Sequence, residues 1–513
     1  MKKLLIFLGI TFLIVSSLVA QQALPQDLAY KIKREAFQNS QMEALAMYLT
    51  DYAGPRLAAS RLGERGEKLA KEKLAELGFS NPRIEKAADF PRGGWDNLKT
   101  YAAMTAPYYC NFMAVPKAWS GSTDGLVKGE VILLDINTVN DIAQYKGKLS
   151  GKIVLMPETS KYEMQFGPFA TRQTEERLTF LATDPRPQPA RAFRMPMGTA
   201  GLQMEIRNLL TEEHPAVIVS GGGFFNVPRS TSVQYGRYGD PEPTAELVLP
   251  VEDHGRMIRL IAKNIPVSME VEIKNEFYNN PVINNVIAEI PGVDPKLKDE
   301  VVLLGGHWDS WHGGTGAADD ASGCMVMIEA LRIIKESGIQ PRRTIRVALW
   351  GGEEQGLIGS RGYMQDYLYD VDANKPRKGF DQFALYLNMD NGSGKFRGIY
   401  LEENDMAFPF FREWIKVMDN MDFNTLSPRK TGGTDHMSFD RIGLPAFQFI
   451  QDDLEYGRGY HTLMDTYERL VLPDLQYNAA VVAILALSAA MDNSKIPPKP
   501  LPANFNMQQR RMF

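Results

Sequence analysis

The pattern of apolar and polar positions divides the chain into three textures. Near the N-terminus, RGEKLAKEKLAELGF spaces its apolar residues at three and four, which predicts a helix stopped by Gly78. From about 116 to 275 short β-rich runs (VILLD at 131–135, KIVLM at 152–156, PAVIVS at 215–220) alternate with Gly, Pro and charged loops, which predicts a separate β-rich insert. The piece from 157 to 212 carries no pattern that assigns it. From about 276 strand, loop and helix alternate. VVLLGG at 301–306, TIRVALW at 344–350, FALYLNM at 383–389 and PAFQFI at 445–450 read as strands. CMVMIEALRIIKESG at 324–338 places Cys324, Met327, Ile328, Leu331 and Ile334 on one helical face, closed by Gly338 and Pro341. This alternation predicts an α/β fold, a mainly parallel sheet flanked by helices, with the β-rich domain inserted into it.

The expected boundaries are residues 21–115 and 276–495 for the two parts of the α/β domain, 116–275 for the insert and 496–513 for a Pro-rich, polar tail. The first residues, MKKLLIFLGITFLIVSSLVAQQ, combine a basic start, an apolar run from Leu4 to Val15 and small residues up to Ala20. They predict a signal peptide over 1–20 and export to the periplasm or the medium. The apolar stretch from Ala479 to Leu487 is too short to span a bilayer and reads as a buried helix. No stable membrane association is therefore expected after signal cleavage.

Composition changes this picture little. The 513 residues are 44% hydrophobic and 23% charged, as in ordinary soluble domains, and the formal net charge is -5. No basic block suggests a nucleic-acid partner. Two cysteines, Cys110 and Cys324, make no disulfide framework.

The chemistry gathers where strands end. In open α/β sheets ligands bind at the carboxyl ends of the strands. After VVLL come His307 and Asp309, and the same glycine-rich loop runs on to Asp319 and Asp320. After TIRVALW come Glu353 and Glu354, after FALYLNM comes Asp390, and beyond PAFQFI lies His461. Taken singly, Asp319, Asp320 and Ser322 would serve as helix N-caps and the paired glutamates as a solvated face. Together they put a metal-ligating side chain at every strand end. Carboxylates and imidazoles gathered in this way point to a metal site. Spacing does not tell which of Glu353 and Glu354 is a base and which a ligand.

His307-Trp308-Asp309-Ser310, GAADDASG at 316–323, WGGEEQGLIGS at 350–360, Asp390 and HTLMDT at 461–466 resemble the co-catalytic zinc exopeptidases of peptidase family M28. AGPRLAASRLGERGEKLAKEKLAELGF resembles the opening of the carboxypeptidase Q-like branch, and the insert resembles its protease-associated domain. The resemblance implies that His307 and Asp390 hold one zinc, Glu354 and His461 the other, with Asp319 bridging. It implies Glu353 as the general base and the Asp309 carboxylate as the group that orients His307. Two Zn2+ are the expected cofactors, with Mn2+ or Co2+ as alternatives. A metal-bridging hydroxide would attack the terminal bond of a short peptide or dipeptide. Aminopeptidase or dipeptidase action is favoured; the alternatives are a carboxypeptidase, a glutaminyl cyclase or a non-catalytic binding protein of the same fold. Thr434-Asp435-His436 departs from the family's Ser-Asp-His. His436 and Arg458 are candidate substrate-binding residues, Arg458 as a partner for a substrate carboxylate.

Overall fold

The computed structural model describes residues 23–157, 162–183, 199–223, 227–501 and 505–507. The signal-like segment 1–20 and the last six residues lie outside them. A first eight-stranded sheet runs, in spatial order, Ser80–Asp89, Val282–Ile290, Thr344–Trp350, Val301–His307, Phe383–Asn388, Ala446–Gln451, Phe396–Tyr400 and Thr425–Ser427. The middle four strands are parallel. The sheet turns antiparallel on both sides of them, and the last pair is parallel again.

Those middle strands are continuous apolar runs because both faces are covered. Val302, Leu304, Ile345, Val347 and Leu349 pack into the core beneath the helices Gln26–Gln38, Ser322–Glu336 and Leu472–Met491. Their neighbours Leu303, Ala348 and Trp350 point the other way, toward Tyr363 and Phe439 on the helices Ile358–Tyr363 and His436–Asp440. The period of two thus buries nearly every position, Val301 and Arg346 being only partly covered. The Ser322–Glu336 helix differs from its sequence pattern. Residues 322–334 are buried all round, not on one face, because neighbouring helices cover its outer side. Its Glu329 and Arg332 tolerate this by pairing at 2.7 Å, with Glu35 as a second partner for the arginine. The helix Leu472–Met491 is 20 residues long and apolar enough to cross a membrane, yet 89% of its apolar window is buried inside the protein. Arg61–Glu76 forms the expected helix, with Ser60 Oγ accepting from Gly63 N at 2.8 Å and Gly78 at φ +73°.

A second eight-stranded sheet runs Cys110–Asn111, Gly94–Ala106, Ser268–Tyr278, Val127–Leu133, Ile153–Leu155, Val217–Gly221, Glu246–Leu249 and Val115–Pro116. It starts some twenty residues before the expected 116 and ends just past 275. Gly94–Ala106 and Ser268–Tyr278 pair along their length as an antiparallel ribbon. Half of that ribbon's side chains face solvent, so it shows no apolar run to mark the boundary. Four of its strands, from Val127–Leu133 to Glu246–Leu249, are parallel, and Thr199–Glu213 and Val251–Ile261 are helical. Within the unassigned 157–212, Glu175–Thr183 crosses to the first sheet. Leu178 and Leu181 pack on Ile450, and Arg172 bonds Asp452 and Asp474 at 2.7 Å each.

One buried side chain ties the N-terminal part to the loop after Val301–His307. Arg56 is fully buried and donates to the carbonyls of Trp308, Leu49, Gly54, Thr315 and Gly316 at 2.6–3.1 Å. Its backbone exchanges bonds with Ser310. Arg56→Met would take this donor from all five carbonyls, of which Gly316 O still accepts from Ala321 N, so a loss of about 3 kcal/mol or more is expected in urea unfolding. Arg56→Lys should recover less than half of it, because a lysine cannot present the planar fork. An unchanged unfolding midpoint in Arg56→Met would remove this role.

Candidate metal centre

The loops beyond the parallel strands converge on Asp319. Its Oδ1 lies 3.1 Å from His307 Nε2 and its Oδ2 lies 3.0 Å from His461 Nε2, so one carboxylate spans two imidazoles. His307 Nε2 is also 3.8 Å from Asp390 Oδ1, and His461 Nε2 is 2.9 Å from Glu354 Oε2. Two groups offer ligand atoms within 4.8 Å of one another: His307, Asp319 and Glu354, and His307, Asp320 and Asp390. Asp319 Oδ2 and Glu354 Oε1 are buried with no hydrogen bond to satisfy them. Buried carboxylate oxygens in that state are costly unless a cation takes them up, so the donor set fits metal ions.

Asp320 is close enough to join, but its carboxylate is already occupied. Its oxygens accept from the backbone N–H of His307 (3.2 Å) and of Gly323 (3.0 Å). A Cβ at Gly306 or Gly323 would come within 2.5 Å of that carboxylate, which explains the glycines of GGH and DASG. Asp309 departs from its expected role. His307 Nδ1 meets the Asp309 carbonyl oxygen at 2.8 Å, while the nearest carboxylate oxygen stands 3.8 Å away. That carboxylate instead accepts from Glu353 N (2.9 Å) and Glu354 N (3.2 Å). Two successive backbone N–H groups at a strand end offer it a better-directed pair than a ring two residues away, and they fix the glutamate turn.

Three supporting residues escaped the sequence reading. Asp465 accepts from Ala318 N at 2.6 Å and Asp319 N at 3.1 Å, which orients Asp319; its place in HTLMDT was the available signal. Trp311 Nε1 donates to Glu354 Oε2 at 2.7 Å, and Tyr456 OH reaches Asp390 Oδ1 at 3.4 Å. Neither has a spacing that announces it.

The two substrate-binding candidates lie differently. His436 is fully buried, with Nε2 3.6 Å from Glu402 Oε1, behind the strand ends. Arg458 bonds Glu455 at 3.2 Å and stacks over Phe169 at 4.6 Å. His312, on the loop that follows His307, donates from Nε2 to Pro116 O of the second sheet at 2.8 Å. Burial pushes it down to about 4, so it is neutral there.

Protonation follows the crowding of charge. Burial raises Glu354 to about 7, with Asp319 adding to the effect, and raises Glu353 well above the usual carboxylate range. Burial and Asp390 act on Asp435 in the same direction, to about 7. Burial alone would lower His461, but its contacts with Asp319 and Glu354 outweigh it and carry the ring up to about 10. Without a metal, protons do the work of cations here.

The comparisons agree with this geometry. Residues 285–486 match Peptidase family M28. The chain is 25% identical to mouse carboxypeptidase Q over 463 residues, covering 90% of this chain and 88% of the relative. The structure of an M28 peptidase precursor from Shewanella amazonensis superposes with a TM-score of 0.67 at 23% identity, covering 93% of this chain and 99% of that one. A zinc aminopeptidase from Bacillus subtilis shares the fold at a TM-score of 0.53 and 17% identity, covering 92% of this chain and 96% of that one. With sheet, loops and ligand-bearing side chains all in agreement, this chain resembles peptidase family M28, including its carboxypeptidase Q-like branch, and is a metallopeptidase.

Proposed function

We propose that the protein is an exported exopeptidase that holds two divalent cations, zinc foremost, and hydrolyses the terminal bond of short peptides or dipeptides. The observation that carries this reading is Asp319, whose two oxygens face two different imidazoles. His307 and Asp390 make one ligand set, Glu354 and His461 the other, and Asp319 serves both. Two such cations, when bound, polarise the scissile carbonyl and acidify the attacking water. Glu353 follows Trp350 on the same turn as Glu354, but no hydrogen bond ties down its carboxylate among the described residues. It is the group free to take the water's proton and return it to the leaving amine. A complete second ligand set favours a hydrolase over a glutaminyl cyclase or a binding protein that has lost catalysis.

The insert supports action at chain ends. Ser230 N donates to His461 O at 2.6 Å, and Arg229 bridges Thr462, so the second sheet's loops stand directly over the metal ligands. A cleft roofed in this way admits a terminus more readily than the middle of a folded chain. The signal-like segment 1–20 supports export.

Hydrolysis of a dipeptide and of its N-acetyl form by the zinc-loaded protein tests the reading. The free dipeptide should be cleaved at least tenfold faster; equal rates would favour the carboxypeptidase alternative, and no cleavage of either would reject an exopeptidase.

Glu353→Gln keeps the shape but cannot accept a proton. A loss of about a hundredfold or more in kcat is expected, with metal content near wild type. Elemental analysis should find about two ions per chain in the wild type, mainly one in His461→Ala and none held tightly in Asp319→Ala. Metal loss in Glu353→Gln, with retention in Glu354→Gln, would exchange the two glutamate roles.

Metal uptake must also expel protons. The metal-free His461 keeps its proton up to about 10, and Glu354 titrates near 7. Loading at pH 7 should therefore acidify a lightly buffered solution, and affinity should climb as pH rises from 6 to 9. Uptake without proton release would contradict the ligand assignment.

A further inference from the structure

Each of the two outer carboxylates of the centre has an aromatic donor of its own. Glu354 takes the Trp311 indole N–H at 2.7 Å. Asp390 takes the phenol of Tyr456, which stands 3.4 Å from its Oδ1. That is the one hydrogen bond to the Asp390 carboxylate among the described residues, and the phenol has no other acceptor among them. The main chain around Asp390 is braced independently. Its carbonyl accepts from Gln448 Nε2 at 3.0 Å, and the carbonyl of Gly392 accepts from Ser322 Oγ at 3.2 Å and Gln451 Nε2 at 2.9 Å. The backbone is thus fixed with or without the phenol, whereas the carboxylate relies on it.

The phenol is itself built into place. Its ring stacks on that of Tyr460 at 5.1 Å and 25°, and the Arg229 guanidinium of the insert covers Tyr460 at 4.0 Å. The ring also lies close against Gly392, where a Cβ would come within 2.8 Å of it. Gly392 sits at φ +83°, so both its backbone and its missing side chain suit this approach.

We infer that Tyr456 is a positioning residue for the cation of His307 and Asp390: its hydroxyl fixes the Asp390 carboxylate and sets the affinity of that site separately from the one at Glu354 and His461. This rests on the two-cation reading. A carboxylate loses rotamer freedom when it takes a cation, and a hydrogen bond that selects its orientation beforehand removes part of that cost. A phenol suits the place because it is neutral at pH 7 and donates, adding no further negative charge to a crowded acidic site. Outer partners of this kind are worth about ten- to a hundredfold in metal affinity. The contact is long beside the 2.7 Å bond that Trp311 makes, so the lower end of that range is expected.

Competition titration of zinc against a chromophoric chelator, on the full-length protein, reads one site when the other is removed. His461→Ala keeps the site of His307 and Asp390, and Asp390→Ala keeps that of Glu354 and His461. Tyr456→Phe retains the stacked ring and loses only the hydroxyl. Added to His461→Ala, it should weaken zinc binding about tenfold. Added to Asp390→Ala, it should change zinc binding less than about twofold, with the urea midpoint of the metal-free protein unmoved in both. No loss in the His461→Ala background overturns the inference. Equal losses in both backgrounds overturn it too, since they mark a general structural contact. Should His461→Ala bind no zinc while the wild type binds one ion, the two-cation reading fails. A tenfold weaker ion in Tyr456→Phe alone would then still support Tyr456 as the partner that positions Asp390, and an unchanged one would overturn both.

Discussion

The structure depends on a concentration of negative charge in a dry place. Asp309, Asp319, Asp320, Asp390 and Asp465 are all at most 9% exposed, at one end of one sheet, with Glu353 and Glu354 beside them. Carboxylates at such distances raise one another's pKa unless positive charge is placed among them. The backbone neutralises part of the load. Asp309, Asp320 and Asp465 each accept two main-chain N–H bonds, and each bond also fixes the loop that carries a ligand. Asp319, Glu354 and Asp390 keep oxygens facing the two imidazoles. Those three are the candidate ligands, because the backbone has already satisfied the other acids.

A second layer holds the loops themselves. Arg56 collects five carbonyls from the N-terminal part and from the loop around Trp308 and Gly316. Planar geometry and five donors let one side chain do this where several separate contacts would otherwise be needed. On the opposite side, the second sheet reaches in through His312, which bonds Pro116, and through Ser230, which bonds the His461 carbonyl. His461 sits at φ +61°, a left-handed conformation that a non-glycine residue keeps only when its surroundings hold it. The insert is part of those surroundings. It therefore belongs to the mechanics of the metal centre as well as to the walls of the cleft.

Much of this was legible along the chain. Unbroken apolar runs such as VVLL and FALYL, bounded by turn residues, read as strands covered on both faces, so the parallel core of the first sheet follows from local pattern. Polar, metal-ligating residues at the end of each run follow from the same pattern, since loops at strand ends converge whatever their sequence. The pattern does not show the outer strands' direction or the start of the second sheet. The ribbon of Gly94–Ala106 and Ser268–Tyr278 is half solvated, and its partners lie far apart in sequence.

The sequence by itself determined which residue types could meet at the strand ends, because period and turn chemistry are local. Tertiary structure alone decided what each residue does there. Asp309 turned its carboxylate to the glutamate turn and its carbonyl to His307, Arg458 was taken by Glu455, and Arg229 arrived from the insert to stack over Tyr460. The physical reason is that a hydrogen bond or ion pair is a competition among all acceptors within about 3 Å. The competitors come from segments as far apart in the chain as 229 and 460, which no window of sequence contains.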